Sequence, residues 1–342
     1  MDDSESRRQY DEQIERAVEQ RERYRGVFSD RSKPAEERRM ALQSLSALTD
    51  EDEVAEAIDI IGDRVEDAEL RAAALRTISA EVGQRHDLID FAIDLLRDRT
   101  EPAVVRLAAL RVLQMSSFRV VVFDPKRPEY LDALRTVIDD RNASLREQAL
   151  EILAQEKDEY AQRRLLEGLE DPSQALVPPE RAIQLLGYDI HAEHYPILRE
   201  MVRNPPSPEA KREAVRLLGT DPASKDLLAD ILKDKRERRE VRNASASALQ
   251  SLAPAEFEEQ AKQIVLDDDE YPDIRATAIN ALTLFADQEA LDQDAELSGR
   301  VEQLSEVSRS EEVTRTANRF LRRQRRRRER RNRSDGPRGE RG

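Results

Sequence analysis

Apolar and polar positions follow a helical rhythm through nearly the whole chain. In "DAELRAAALRTISAEVG", residues 67 to 83, Leu70, Ala74, Leu75 and Ile78 fall at i, i+4, i+5 and i+8 and mark one stripe of a helix. The following "HDLIDFAIDLLRD" gives a second stripe through Leu88, Ala92, Leu95 and Leu96. Two amphipathic helices joined by a short turn are predicted. Gly83 stands where a left-handed helix stop belongs, and Gly187 and Gly219, each after a Leu-Leu pair, repeat the signal. Pro34, Pro102, Pro179, Pro208 and Pro272 precede first helices, while Pro128 and Pro254 open second ones.

This grammar recurs. "LRAAAL" at 70 is echoed by "VRLAAL" at 105, "LREQAL" at 145 and "IRATAI" at 274. Aligned on the small residue three places after the arginine, the series is Ala41, Ala74, Ala109, Ala149, Ala182, Ala214, Ser245, Ala278 and Ala317, with gaps of 31 to 40 residues. Such a period marks a stacked array. A methyl group at mid-helix lets a neighbouring helix approach to about 8 to 10 Å. No pair of helices hides its stripe alone, so stacking must complete the core.

The segments "DAELRAAAL", "EPAVVRLAAL", "NASLREQAL" and "YPDIRATAI" resemble HEAT repeats, particularly the short bacterial HEAT-like type, over about residues 31 to 321. Pro179 and Thr314 stand in place of the arginine and Lys211 substitutes for it. The resemblance implies an all-α fold, a right-handed α-α superhelix of the HEAT/armadillo solenoid type, with about nine two-helix repeats. It further implies that second helices, such as 87 to 98, 129 to 140 and 224 to 235, line a concave binding face. Residues 1 to 30, whose helical stretch 5 to 28 carries Tyr10, Ile14, Ala17 and Tyr24 on a narrow stripe, are expected to cap the array.

Charge refines this picture. The formal net charge is −15, but residues 319 to 342 hold 12 Arg against Glu329, Asp335 and Glu340, which leaves about −24 on the remainder. An acidic body favours a basic or helical segment of another protein as ligand, steered by charge. Cysteine is absent, which removes disulfides and thiolate metal sites, and no apolar run is long enough for a leader or a membrane span. A soluble, cytoplasmic protein is expected, its oligomeric state open.

Catalytic signatures do not emerge. HEAT-like di-iron hydroxylases use His-Glu dipeptides, whereas the histidines here are followed by Asp87, Ala192 and Tyr195. HEAT-like DNA glycosylases set a carboxylate beside Trp in a basic groove, and this acidic chain has no Trp. His191 and His194, near Asp189 and Glu193, have the spacing to share a metal ion, but two solvated histidines at a helix start are the expectation. The reading is a non-catalytic scaffold without cofactor.

Two segments rise above the repeat background. "SSFRVVVFDPKRP", residues 116 to 128, accounts for the 40-residue gap after Ala109. If extended, Phe118, Val120 and Val122 share one face, with Val121 and Phe123 on the other. The segment either prolongs the first helix or covers a seam between repeats, or else forms a docking loop through Phe118, Val120, Val122 and Phe123. The second is "RRQRRRRERRNR", within a tail drawn at 322 to 342 and expected to be flexible, the run itself helical by continuation or disordered. Arg322, Arg323, Arg325, Arg326, Arg327, Arg328, Arg330 and Arg331 are its candidate anion- or partner-binding residues. Three roles compete: an inert solubilising tail, sequence-independent binding to RNA, DNA or an anionic membrane, and docking onto an acidic groove.

Overall fold

The computed structural model describes residues 3–45, 47–48 and 50–334, with the side chains of residues 15–16, 18–45, 47–48 and 50–330. All regular structure among them is helical. The chain divides between Arg164 and Leu165 into two compact units.

The first unit holds α1 (Asp3–Ser29), α2 (Ala35–Leu45), α3 (Glu51–Gly62), α4 (Ala68–Thr77), the single turn α5 (Ser79–Val82), α6 (His86–Arg97), α7 (Ala103–Ser116), the single turn α8 (Val120–Phe123), α9 (Arg127–Val137) and α10 (Ala143–Gln155). Helix α11 (Glu159–Glu170) carries the chain across the division. The second unit holds α12 (Pro179–Leu186), α13 (Tyr195–Arg203), α14 (Pro208–Leu217), α15 (Lys225–Lys233), α16 (Arg239–Leu252), α17 (Pro254–Leu266), α18 (Pro272–Phe285), the short α19 (Gln288–Gln293), α20 (Ala295–Val307) and α21 (Glu311–Ser334). The three second helices predicted at 87 to 98, 129 to 140 and 224 to 235 correspond to α6, α9 and α15. Inserted turns explain the two longest gaps: α8 with a 3-10 turn at Asp124–Lys126, and α19.

Every small residue of the series is buried, Ala74, Ala109, Ala149, Ala214, Ser245, Ala278 and Ala317 completely. Ser245 fits because its hydroxyl donates to the Leu228 carbonyl at 2.5 Å. Within each unit the motif-bearing helices pack on one another, α4 on α2 and α7, α14 on α12 and α16, α18 on α16 and α21. Most of the helices between them pack chiefly on the motif-bearing layer, while α9 packs equally on α10 and α6.

The arginine of the motif ties these layers together. Nε–H of Arg38, Arg71 and Arg106 donates to the carbonyls of Phe28, Ile61 and Leu96 at 2.8, 2.7 and 3.0 Å, each the penultimate residue of an earlier helix. Those carbonyls have no partner within their own helix, so the guanidinium closes the helix end. The other side of each guanidinium meets a carboxylate in the turn one unit further on: Glu66 at 2.5 Å, Glu101 at 2.8 Å and Asp140 at 2.5 Å. In the second unit Arg242 repeats the arrangement with Leu232 and Glu270, the latter gripped by two bonds at 2.9 and 2.7 Å. Lys211, which has no fork, pairs with Glu237. Arg275 turns instead to the Asp267 and Asp268 carbonyls.

Turn aspartates form a second recurrent device. Asp30, Asp63, Asp98, Asp171, Asp234 and Asp267 each accept from the amide two residues on, at 2.8 to 3.0 Å. The bond shapes the turn that leads into the next motif helix.

The glycine expectation needs correction. No glycine among the described residues has positive φ; the left-handed residue is Lys157, at φ 58°. Closeness, not handedness, keeps glycine at two sites. A Cβ on Gly219 would stand 3.1 Å from both Cα and Cβ of Ala248, and one on Gly168 would stand 2.9 Å from the Ala175 Cα.

Candidate functional site

The segment after α7 is helical, not extended. The Arg119 carbonyl accepts from the amides of Val122 and Phe123 at 3.1 and 3.0 Å, which closes the turn α8 and cancels the predicted alternation of faces. Phe123 points inward and is fully buried, edge-on to Tyr130 with ring centroids 5.3 Å apart and with the Arg127 guanidinium 5.7 Å from its centroid. It is therefore a core residue and not an exposed docking anchor. Val122 is half-buried, while Phe118, Val120 and Val121 face solvent, Val121 at 91% exposure.

The histidine pair also differs from expectation. His194 is buried, its Nδ1 accepting from the His191 amide at 3.2 Å, and burial holds its imidazole below the usual range. His191 Nε2 lies 3.0 Å from Asp189. Among the described residues no group of three or more His, Cys, Asp or Glu side chains converges as a metal cage.

The arginine run does not begin as a separate segment. The boundary drawn at 322 falls inside α21, whose buried positions Val313, Ala317, Phe320 and Gln324 continue a stripe of i, i+4, i+7 and i+11 past it. Gln324 donates to Ser298 Oγ at 3.0 Å, and Arg327 pairs with Asp292 at 3.2 Å. The first contact reaches α20 and the second α19, while the helix as a whole packs on α18 and α20. Arg322, Arg323, Arg325, Arg326, Arg328 and Arg330 are exposed. The Arg331 side chain and residues 335–342 lie outside the described residues, as do the Tyr10, Ile14 and Ala17 side chains of α1.

On the solvent side of the motif-bearing layer of the second unit, a groove runs between α14 and α16. Arg212, Arg216 and Thr220 form one wall; Asn243, Ser247 and Ser251 form the other, with Gly219, Ala244 and Ala248 also lining it. Arg212 and Arg216 are held by the buried Glu213, each at 2.9 Å. Burial pushes the Glu213 carboxyl up, but the two guanidiniums outweigh it and hold it below its ordinary value. The groove is thus polar and lined partly by small side chains, with Arg212 and Arg216 along one edge and the carboxylates of Glu213, Glu240 and Asp273 also on its lining. Only the periodic small residues hinted at it, because Ala244 and Ala248 flank the buried Ser245 on the same helix.

No curated protein matches the chain. Residues 163–250 match the family model for HEAT repeats. Among solved structures, the karyopherin Kap121p bound to the extreme C-terminus of the protein phosphatase Cdc14p superposes with a TM-score of 0.55 and 12% identity, covering 88% of this chain and 37% of that one. A structure of Kap121p superposes at 0.51 and 11% identity, covering 85% and 40%. The chain thus spans about two fifths of the length of the karyopherins it is similar to. Human deoxyhypusine hydroxylase in complex with glycerol aligns at a TM-score of only 0.31 with 22% identity, over 78% of this chain and 96% of that one, too low for the fold to be argued from it. A buried small residue and a motif arginine that seals one helix while bracing the next turn recur along the described residues, whose regular structure is all helical, and with the family match over residues 163–250 the chain carries HEAT repeats.

Proposed function

We propose that the chain is a protein-binding scaffold whose partner lies along the motif-bearing helices, not along the second helices that the resemblance implied. The groove between α14 and α16 carries this reading. Its small lining residues leave room for a main chain to approach, and Asn243, Ser247 and Thr220 offer hydrogen bonds to a peptide backbone. Arg212 and Arg216 are pre-positioned by Glu213, so little side-chain entropy is lost when they bind, and with Glu240 and Asp273 on the same lining the groove offers both donors and carboxylate acceptors to a polar segment. The similar karyopherin structure, with the C-terminus of another protein bound, supports a scaffold role.

A photo-crosslinking residue at Ser247 on this layer, compared with one at the exposed Gln263 on α17, tests the proposal. A partner that crosslinks from 247 and is lost in Ala244→Arg, while the melting temperature is kept, is the expected result. A partner that crosslinks only from 263, or that survives Ala244→Arg unchanged, would overturn it.

A further inference from the structure

We propose that the outer face of α21 is a second site, independent of the groove, that binds the phosphate backbone of nucleic acid without reading its sequence. Arg315, Arg319, Arg322, Arg323 and Arg326 fall at i, i+4, i+7, i+8 and i+11, and all five are exposed. They share one side of the helix and extend over about 16 Å of its axis, Arg322 and Arg323 adjacent and the others three or four residues apart. None has a carboxylate partner among the described residues. Arg319 donates to the Asn280 side chain at 3.4 Å and Arg322 to the Asn318 carbonyl of its own helix at 3.3 Å, contacts that neutralise no charge.

The contrast with the rest of the fold gives this face its meaning. Arg38, Arg71, Arg106 and Arg242 each grip a carboxylate. Here five like charges stand together, and the helix is unable to turn them away. Its opposite side is fixed by Val313, Ala317, Phe320 and Gln324 in the core and by the Arg327 pair with Asp292. Crowded like charge is destabilising until a counter-charge arrives from outside.

The kind of counter-charge follows from what the face lacks. Between the arginines there is no apolar anchor pocket of the sort that dominates protein interfaces. The apolar side of α21 is packed on α18 and α20, so nothing is left to enter a lipid surface. No aromatic ring interleaves the face, so bases find nothing to stack on. A regular polyphosphate, with condensed counterions to release and oxygens suited to guanidinium forks, meets what remains.

The test uses the full-length chain and two fluorescent probes of roughly 20 nucleotides, one mixed-sequence single strand and its duplex, titrated across salt concentrations. The wild type should bind both probes, with log K falling linearly in log salt. Substituting Arg319, Arg322, Arg323 and Arg326 by Gln should lower low-salt affinity at least about tenfold and flatten the salt slope by roughly three for either probe. The same four positions changed to Lys should retain most of the affinity, and the melting temperature of both variants should stay near wild type, because these side chains support no packing. Unchanged affinity and slope in the Gln variant would overturn the assignment. So would polyglutamate of equal charge competing as well as the nucleic acid, or anionic vesicles binding as strongly.

Discussion

Arg71 and Glu101, one structural unit apart in the chain, meet at 2.8 Å with both side chains almost wholly removed from water. Arg71 also holds the Ile61 carbonyl at 2.7 Å, so a single guanidinium fastens the end of α3 and the turn before α7. Removing one partner leaves the other charged and buried. Glu101→Ala is therefore expected to destabilise the first unit by about 3 to 5 kcal/mol, whereas Glu69→Ala on the same helix as Arg71 should stay within about 0.5 kcal/mol. Urea melts of the two variants check this.

The turn aspartates make stability depend on acid. The Thr100 hydroxyl and amide hold the Asp98 carboxyl below its ordinary range, Ser32 and Ser173 do the same for Asp30 and Asp171, and the Arg236 amide leads for Asp234. Because their folded pKa values are depressed, the contribution is complete above the unfolded value of about 3.9 and lost as pH falls through the folded values. The melting temperature should be flat from neutral pH to about 5 and decline below about 4, and the decline should be shallower in Asp98→Asn with Asp171→Asn. Calorimetry across that range measures it.

Phe123 and Val121 sit two residues apart with opposite roles. Phe123→Ala should cost about 3 to 5 kcal/mol through the cavity it leaves beside Tyr130, while Val121→Ser should be nearly neutral. Equal costs would show that the turn α8 packs differently.

Gly219 tests the closeness of the motif-bearing layer. Gly219→Ala places a methyl 3.1 Å from the Ala248 Cα and Cβ, both belonging to α16, so α16 must give way. Destabilisation of about 1 to 3 kcal/mol is expected, relieved in part by Ala248→Gly. Additive effects of the two changes would contradict the contact.

Much of this was legible in the chain itself. The stripe through Leu70, Ala74, Leu75 and Ile78 places four residues that are fully buried, since burial drives the helical pattern. The job of the motif arginine was not legible. Its partners Ile61 and Glu101 lie ten residues before and a unit after, and long-range hydrogen bonds leave no local periodicity. The valine run left helix and extended chain both open: β-branched residues favour strands, but the Arg119 carbonyl and the Phe123 amide close a helical turn and the Phe123 ring is buried. Of the two states open for the arginine run, continuation of the helix is the one α21 adopts, but how far its packed face extends was not legible, because Gln324 and Arg327 are polar by type.

Nearest-neighbour stacking is the claim on which the rest depends, and native-state hydrogen exchange of the full chain, with and without Arg71→Met, tests it most directly. Stacking predicts faster exchange in α4 and in its neighbours α2, α3 and α7, with α16 and α18 unchanged. Acceleration confined to α4, or spread equally over every helix, would contradict it.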